Sequence, residues 1–157
     1  MKVLAFTIGA DRYGLPLRSV ARVLPAMALK LIPGAPDFVA GLMDLHGVPV
    51  PVLDIARLAG MPAEQVWLDS RIVLIDYPTG GDQPRQLGLL VEHVTGIDTI
   101  DAALLLDAGI DGAPFLGQVA ASLQLIDVDA LLAPAVRALL FARTPAAQAA
   151  QAAQATP

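Results

Sequence analysis

The hydrophobic and polar positions of this chain alternate over short distances and seldom hold a helical period. Residues 2–8 (KVLAFTI) set the pattern: in an extended chain Leu4, Phe6 and Ile8 fall on one side and Val3, Ala5 and Thr7 on the other. Gly9-Ala10-Asp11 predicts a turn, and residues 12–17 (RYGLPL) a second strand. Residues 31–36 (LIPGAP) read as loop, and Pro36-Asp37-Phe38-Val39 as one helical turn. Two apolar runs, 41–45 and 48–53, flank His46-Gly47, where the glycine predicts a tight turn. RIVLIDY (71–77) is rich in β-branched residues and predicts a strand. PTGGDQPR (78–85) predicts a hairpin loop, with further strands at 87–91, 115–120 and 122–126. Many short strands broken by Gly and Pro predict a small barrel or sandwich.

Helical pattern is confined to two places. A short helix is expected after Asp54 and a longer one after Asp127 (VDALLAPAVRALLFAR), with both aspartates as structural N-caps. Asp129 in the first turn and Arg143 near the end suit the helix dipole, and Pro134 is expected to kink or restart the helix. Residues 144–157 (TPAAQAAQAAQATP) hold no large apolar side chain and are expected to form a disordered tail behind a domain spanning 1–143. The start at Met1 and this tail are read as marks of a standalone chain.

An internal repeat organises the pattern. Gly14-Leu15-x-Leu17-x-x-Val20-x-x-Val23 matches Gly88-Leu89-x-Val91-x-x-Val94-x-x-Ile97. Leu53-Asp54-Ile55-x-x-Leu58 matches Ile126-Asp127-Val128-x-x-Leu131 in the same order and at the same offset to within one residue. Two copies of one small β-unit follow, each ending in a strand that hands over to a capped helix. Units of this size expose too much surface to stand alone, so two barrels packed on an apolar seam, with a groove between them, are expected.

Composition narrows the function. Apolar residues make up 55% of the 157 and aromatics 4%, so the core is aliphatic. A net charge of −5, with ten basic residues scattered singly, argues against nucleic acid. No cysteine is present, which removes disulfides and thiolate chemistry and agrees with a reducing cytoplasm. No segment has the length of a membrane span, and the N-terminal apolar stretch ends at Asp11 without a cleavage site.

Candidate chemistry is sparse. Asp44 and His46 lie two apart and could share one face of a strand, but the only other histidine is His93, and zinc wants three or four ligands. Asp54 and Asp127 recur at one point of the repeat, which favours caps over a catalytic pair. No serine sits in a nucleophile motif, and Gly80-Gly81 lacks the Lys-Ser/Thr of a phosphate loop. No catalytic residue, metal site or cofactor is assigned. Arg22 and His46 border the expected groove, and their spacing alone leaves solvated charge and partner contact both open.

The ordered segments FTIGADRYGLPLRSVARVLP (6–25), IPGAPDFVAGLMDLHGVPVPVLDIARL (32–58), RIVLID with LGLLVEHVTGI, and FLGQVAASLQLIDVDALL (115–132) resemble the CheW family of chemotaxis coupling proteins. The resemblance runs from about residue 3 to residue 132. It implies two intertwined five-stranded SH3-like barrels, mostly β with short helices and a C-terminal helix, around a shared aliphatic core. It implies a non-enzymatic adaptor that joins chemoreceptor cytoplasmic tips to the regulatory domain of a chemosensory histidine kinase. That adaptor would be cytoplasmic, at the inner face of the membrane through receptor arrays, without inserting into the membrane. By the same resemblance Val20, Gly41 and Gly47 are expected to contact the kinase, and Arg22, Asp44 and His46 the receptor or another partner. Two departures stand out. The family usually has Asn-Leu-Arg-Gly where this chain has Asp44-Leu45-His46-Gly47, and an acidic residue in place of Arg22. Arg22 could pair with Asp44 instead, and the polarity swap suggests a dedicated pathway, which need not be flagellar. The alternative is a CheW-like barrel that binds a small molecule, or a metal through Asp44, His46 and His93.

Overall fold

A computed structural model describes residues 1–61, 70–79, 83–107, 114–120 and 123–141. In chain order the strands are β1 (Lys2–Ile8), β2 (Asp11–Pro16), β3 (Val20–Pro25), β4 (Val39–Leu45), β5 (Val48–Asp54), β6 (Arg71–Tyr77), β7 (Arg85–Val91), β8 (His93–Thr99), β9 (Leu106–Asp107), β10 (Gln118–Ala120) and β11 (Leu123–Leu125). Among the described residues two short α-helices, α1 (Ile55–Leu58) and α2 (Pro134–Leu140), accompany the strands.

The strands form two sheets, ordered β8-β1-β2-β11-β10-β9 and β3-β6-β7-β5-β4. Each is built on an antiparallel hairpin, β1–β2 or β6–β7, whose second strand runs parallel to another strand of the sheet, β11 or β5. The third strand of each unit crosses over. β3 follows β2 but pairs with β6, and β8 follows β7 but pairs with β1. The two SH3-like barrels are therefore stitched together by exchanged strands.

The repeat explains its own glycines. Gly14 lies opposite Ala5 and beside Leu125, and Gly88 lies opposite Leu74 and beside Val52. A Cβ at Gly14 would come within 2.8 Å of the Leu123 side chain, and one at Gly88 within 2.9 Å of Ile72 and 3.0 Å of Val52. At the close of each unit the Asp54 N–H donates to the Phe38 carbonyl and the Asp127 N–H to the Phe115 carbonyl, both at 2.7 Å.

Alternation along β1 and β6 fills three cores. Leu4, Phe6 and Ile8 of β1 and Val73, Ile75 and Tyr77 of β6 meet in a core shared by both sheets. Their opposite faces close the barrels individually. Val3 and Ala5 pack with Leu123 and Leu125 in the first barrel, and Ile72 and Leu74 with Met43 and Val50 in the second. Both strands are thus buried on two sides, and the shared layer is the largest of the three cores.

Several sequence expectations need correction. The segment after Asp127 opens with a 3-10 turn (Val128–Ala130) and buried Leu131 and Leu132 in place of α-helix, while the expected restart at Pro134 is seen in α2, which has the proline in its first turn. Burying two adjacent leucines bends the chain inward, and the proline holds Ala133 extended at ψ 151°. Pro36–Val39 is a single turn closed by the Val39 N–H on the Pro36 carbonyl, not a helical segment. The start of the expected strand at 115–120 is a 3-10 turn (Pro114–Leu116). Residues 80–82 of the expected hairpin loop, Ser122, Arg143 and the tail lie outside the described residues.

Candidate functional site

The β4–β5 hairpin carries most of the residues singled out in the sequence. Leu45 faces Val48 across a two-residue turn. His46 and Gly47 both take positive φ, 51° and 84°, which makes the turn type I′ and matches the twist of the flanking strands. Gly47 suits this conformation; His46 is the only non-glycine residue in it among those described. One step back, the Asp44 Oδ1 accepts the Gly47 N–H at 2.8 Å and ties the turn down. Asp44, His46 and Gly47 are all exposed, and with Lys30, Leu42 and Pro49 the first and last of them line a shallow groove of about 290 Å³.

Gly41 is buried within β4, at φ 149°. A Cβ there would stand 2.6 Å from the Lys30 carbonyl, because Lys30 and Leu42 exchange backbone hydrogen bonds directly above it. Its glycine is required by packing whatever else touches it. Val20 and Arg22 lie on β3 with a register shift between them. Val20 packs against the rim of the shared core, while Arg22 is exposed. β3 and β4 are opposite edges of one sheet, and no ion pair joins Arg22 to Asp44.

Asp54 is the last residue of β5, and Asp127 lies two residues beyond β11, at the matching point of the repeat. Asp54 accepts the Ala56 and Arg57 N–H groups at 3.1 and 3.4 Å, and Asp127 accepts the Asp129 N–H at 3.1 Å. His93 lies on β8, in the other sheet from Asp44 and His46. Among the described residues no group of three or more His, Asp or Glu could hold a metal ion.

Two larger grooves occupy matching places in the repeat. One, about 750 Å³, adjoins Asp54 and is lined by Met27, Leu29, Ile32, Pro33 and Arg57; the other, about 630 Å³, adjoins Asp127 and is lined by Arg18, Asp76, Gln118 and Asp129. The repeat has diverged into one mainly apolar groove and one of mixed lining, where Leu125, Ile126 and Val128 stand beside the polar residues. Tyr13 has its hydroxyl pushed above the ordinary range by burial and then by Asp11, and it stacks on Phe6 in the core.

Sequence reasoning missed two sets of surface residues. Val23 and Ile97, at matching positions of the exchanged strands, are 42% and 59% exposed. The repeat alignment contained this signal. The second set is an aromatic cluster at α2. Phe141 stacks on Tyr77 at 5.7 Å, with the Arg85 guanidinium over Phe141 and that of Arg137 over Tyr77. No local motif announces it.

Residues 2–135 match a family model described as a CheW-like domain. Among similar proteins, a chemotaxis protein CheW of Bacillus subtilis is 21% identical over 72% of this chain, and one of Klebsiella aerogenes 28% identical over 63%. The matches span 66% and 57% of those relatives' own lengths. The structure of a scaffolding protein CheW from Thermoanaerobacter tengcongensis superposes with a TM-score of 0.75 at 23% identity, covering 84% of this chain and 87% of the other. At that identity the likeness is one of fold.

Proposed function

Because the chain belongs to the CheW-like domain family, we propose that it is a non-enzymatic adaptor in chemosensory signalling, coupling chemoreceptor cytoplasmic tips to the regulatory domain of a histidine kinase. The observation that carries this reading is the family match over residues 2–135. The geometry supports it: the β4–β5 hairpin presents an exposed turn tied down by the Asp44 carboxylate. A partner gains affinity from a surface that is already ordered.

In this reading residues 1–143 form the coupling domain and 144–157 lie outside it. The kinase docks around Val20, Gly41 and Gly47. Arg22, Asp44 and His46 face the receptor or select between partners. The adaptor works in the cytoplasm, beneath the membrane, through receptor arrays; no helix among the described residues is long and apolar enough to cross a membrane. Since Asp44 already caps its own turn, Arg22 and the His46 imidazole remain available to read partner charge. Opposite polarity at such positions separates parallel pathways by making the wrong pairing repulsive.

The test is binding of the purified chain to the receptor tip and kinase regulatory domain of its own pathway and to those of a parallel pathway. The wild type should bind only its own set. Arg22→Glu with His46→Arg should broaden the choice, and unchanged binding to both sets would count against these residues as selectors.

A further inference from the structure

The grooves beside the two capping aspartates are built from equivalent positions of the repeat. Asp54 in one answers to Asp127 in the other. Ala40 answers to Gly117, each two residues after the phenylalanine whose carbonyl meets that aspartate's N–H. Leu90 answers to Pro16, each two residues after the matching glycine, Gly88 or Gly14.

The first groove already holds a cation. Arg57 sets its Nε 3.8 Å from the Asp54 carboxylate and donates from Nη1 to the Asp37 carbonyl at 3.4 Å. In the second copy the residue at that place is Ala130, and Asp129 stands where the first copy has Ala56. A guanidinium has been removed and a carboxylate added. Asp76, Asp127 and Asp129 line the second groove together with Arg18. All four are exposed, and none of them forms an ion pair among the described residues. Asp127 gives one oxygen to the Asp129 N–H and keeps the other. The carboxylates are too far apart to share a metal ion, since no described group of three or more His, Asp or Glu could hold one. That spread suits an elongated organic cation.

The groove, about 630 Å³, has the size of a small-molecule site. Three carboxylates facing one guanidinium call for a ligand with more positive groups than negative, and Arg18 calls for a carboxylate on that ligand. We propose that the groove beside Asp127 binds free arginine. The ligand's guanidinium takes, against Asp127 and Asp129, the place that Arg57 holds against Asp54. Its ammonium group faces Asp76 and its carboxylate faces Arg18. The site shares no residue with the expected kinase and receptor contacts and does not rest on the adaptor reading.

The test is a titration of the full chain with L-arginine at low salt, followed by amide chemical shifts. Saturable shifts centred on Ser19, Gln118 and Asp129 are expected, and none with L-norvaline, which lacks the guanidinium. Asp76→Asn and Asp129→Asn should each weaken arginine binding by about fivefold, as loss of one exposed charge pair does. Arg18→Ala should weaken arginine and leave agmatine, the decarboxylated analogue, unaffected. Asp54→Asn should change nothing at this groove. All four side chains of the site are exposed, so the variants should keep the wild-type unfolding midpoint. No saturable shift at millimolar arginine would overturn the proposal, as would equal shifts with norvaline or wild-type affinity in the Asp76 and Asp129 variants. N-acetylarginine amide binding as tightly as arginine would also overturn it, making the groove a seat for an arginine side chain of another protein.

Discussion

At the scale of single residues, the hairpin turn separates shape from contact. A substitution at Gly41 acts through backbone strain, because its new Cβ would meet the Lys30 carbonyl. Gly41→Ala should cost about 2–3 kcal/mol in denaturant unfolding, in the range of core overpacking. Any binding lost with it would follow from a displaced β4. His46 is the converse case. Its left-handed backbone is tolerated better by asparagine, so His46→Asn should raise stability by about 0.5 kcal/mol while removing the imidazole. A change in partner affinity in that variant would belong to the side chain. Tyr13 gives a pH signature. Its folded form holds the hydroxyl proton at pH values where the unfolded chain, with an ordinary value of 10.0, has lost it. Stability should therefore be full below about pH 10 and fall as pH rises towards the higher folded value; Tyr13→Phe should flatten that fall in urea midpoints measured from pH 8 to 11. The tight turn at Gly47 was readable in the sequence. The strain at His46 was not, because it follows from the two-residue hairpin register.

At the scale of elements, β1 and β6 were legible because both faces of each strand are apolar. The exchanged strands β3 and β8 were not. Their burial patterns leave most positions open, and they carry Arg, Pro, His, Thr and Asp, which mask a strand signal. Register shifts accompany both pairings, between Val20 and Arg22 and between Ala5 and Phe6, as edge strands often require. The two carboxylate-capped turns could be found from the repeat, but their sizes could not: one is followed by a four-residue α-helix and the other by a 3-10 turn. Asp54 serves two N–H groups in this structure and Asp127 one. Asp54→Ala should therefore lose about 1 kcal/mol and Asp127→Ala somewhat less, by chemical denaturation.

At the scale of the whole molecule, the repeat revealed two units but not that they trade strands, since the same offsets serve an exchanged or an unexchanged pair. Exchange has a thermodynamic consequence. With β3 in one sheet and β8 in the other, and with the shared core between them, neither barrel is complete without both halves of the chain. Unfolding should be a single cooperative transition. Leu89→Ala in the shared layer should lower it as a unit by about 2–5 kcal/mol, with amide signals from β1 and β6 lost at one urea concentration. Two separated transitions would mean independent barrels. The candidate site was legible only in part: the hairpin came through its glycines and the family pattern, while the Phe141 cluster joins residues far apart in sequence. The central claim is that this two-barrel unit joins two partners at once, and the most direct measurement is sedimentation of the purified chain with the receptor tip and the kinase regulatory domain of its pathway. The account predicts binary complexes with each and a ternary complex with both; binding to neither partner would contradict it.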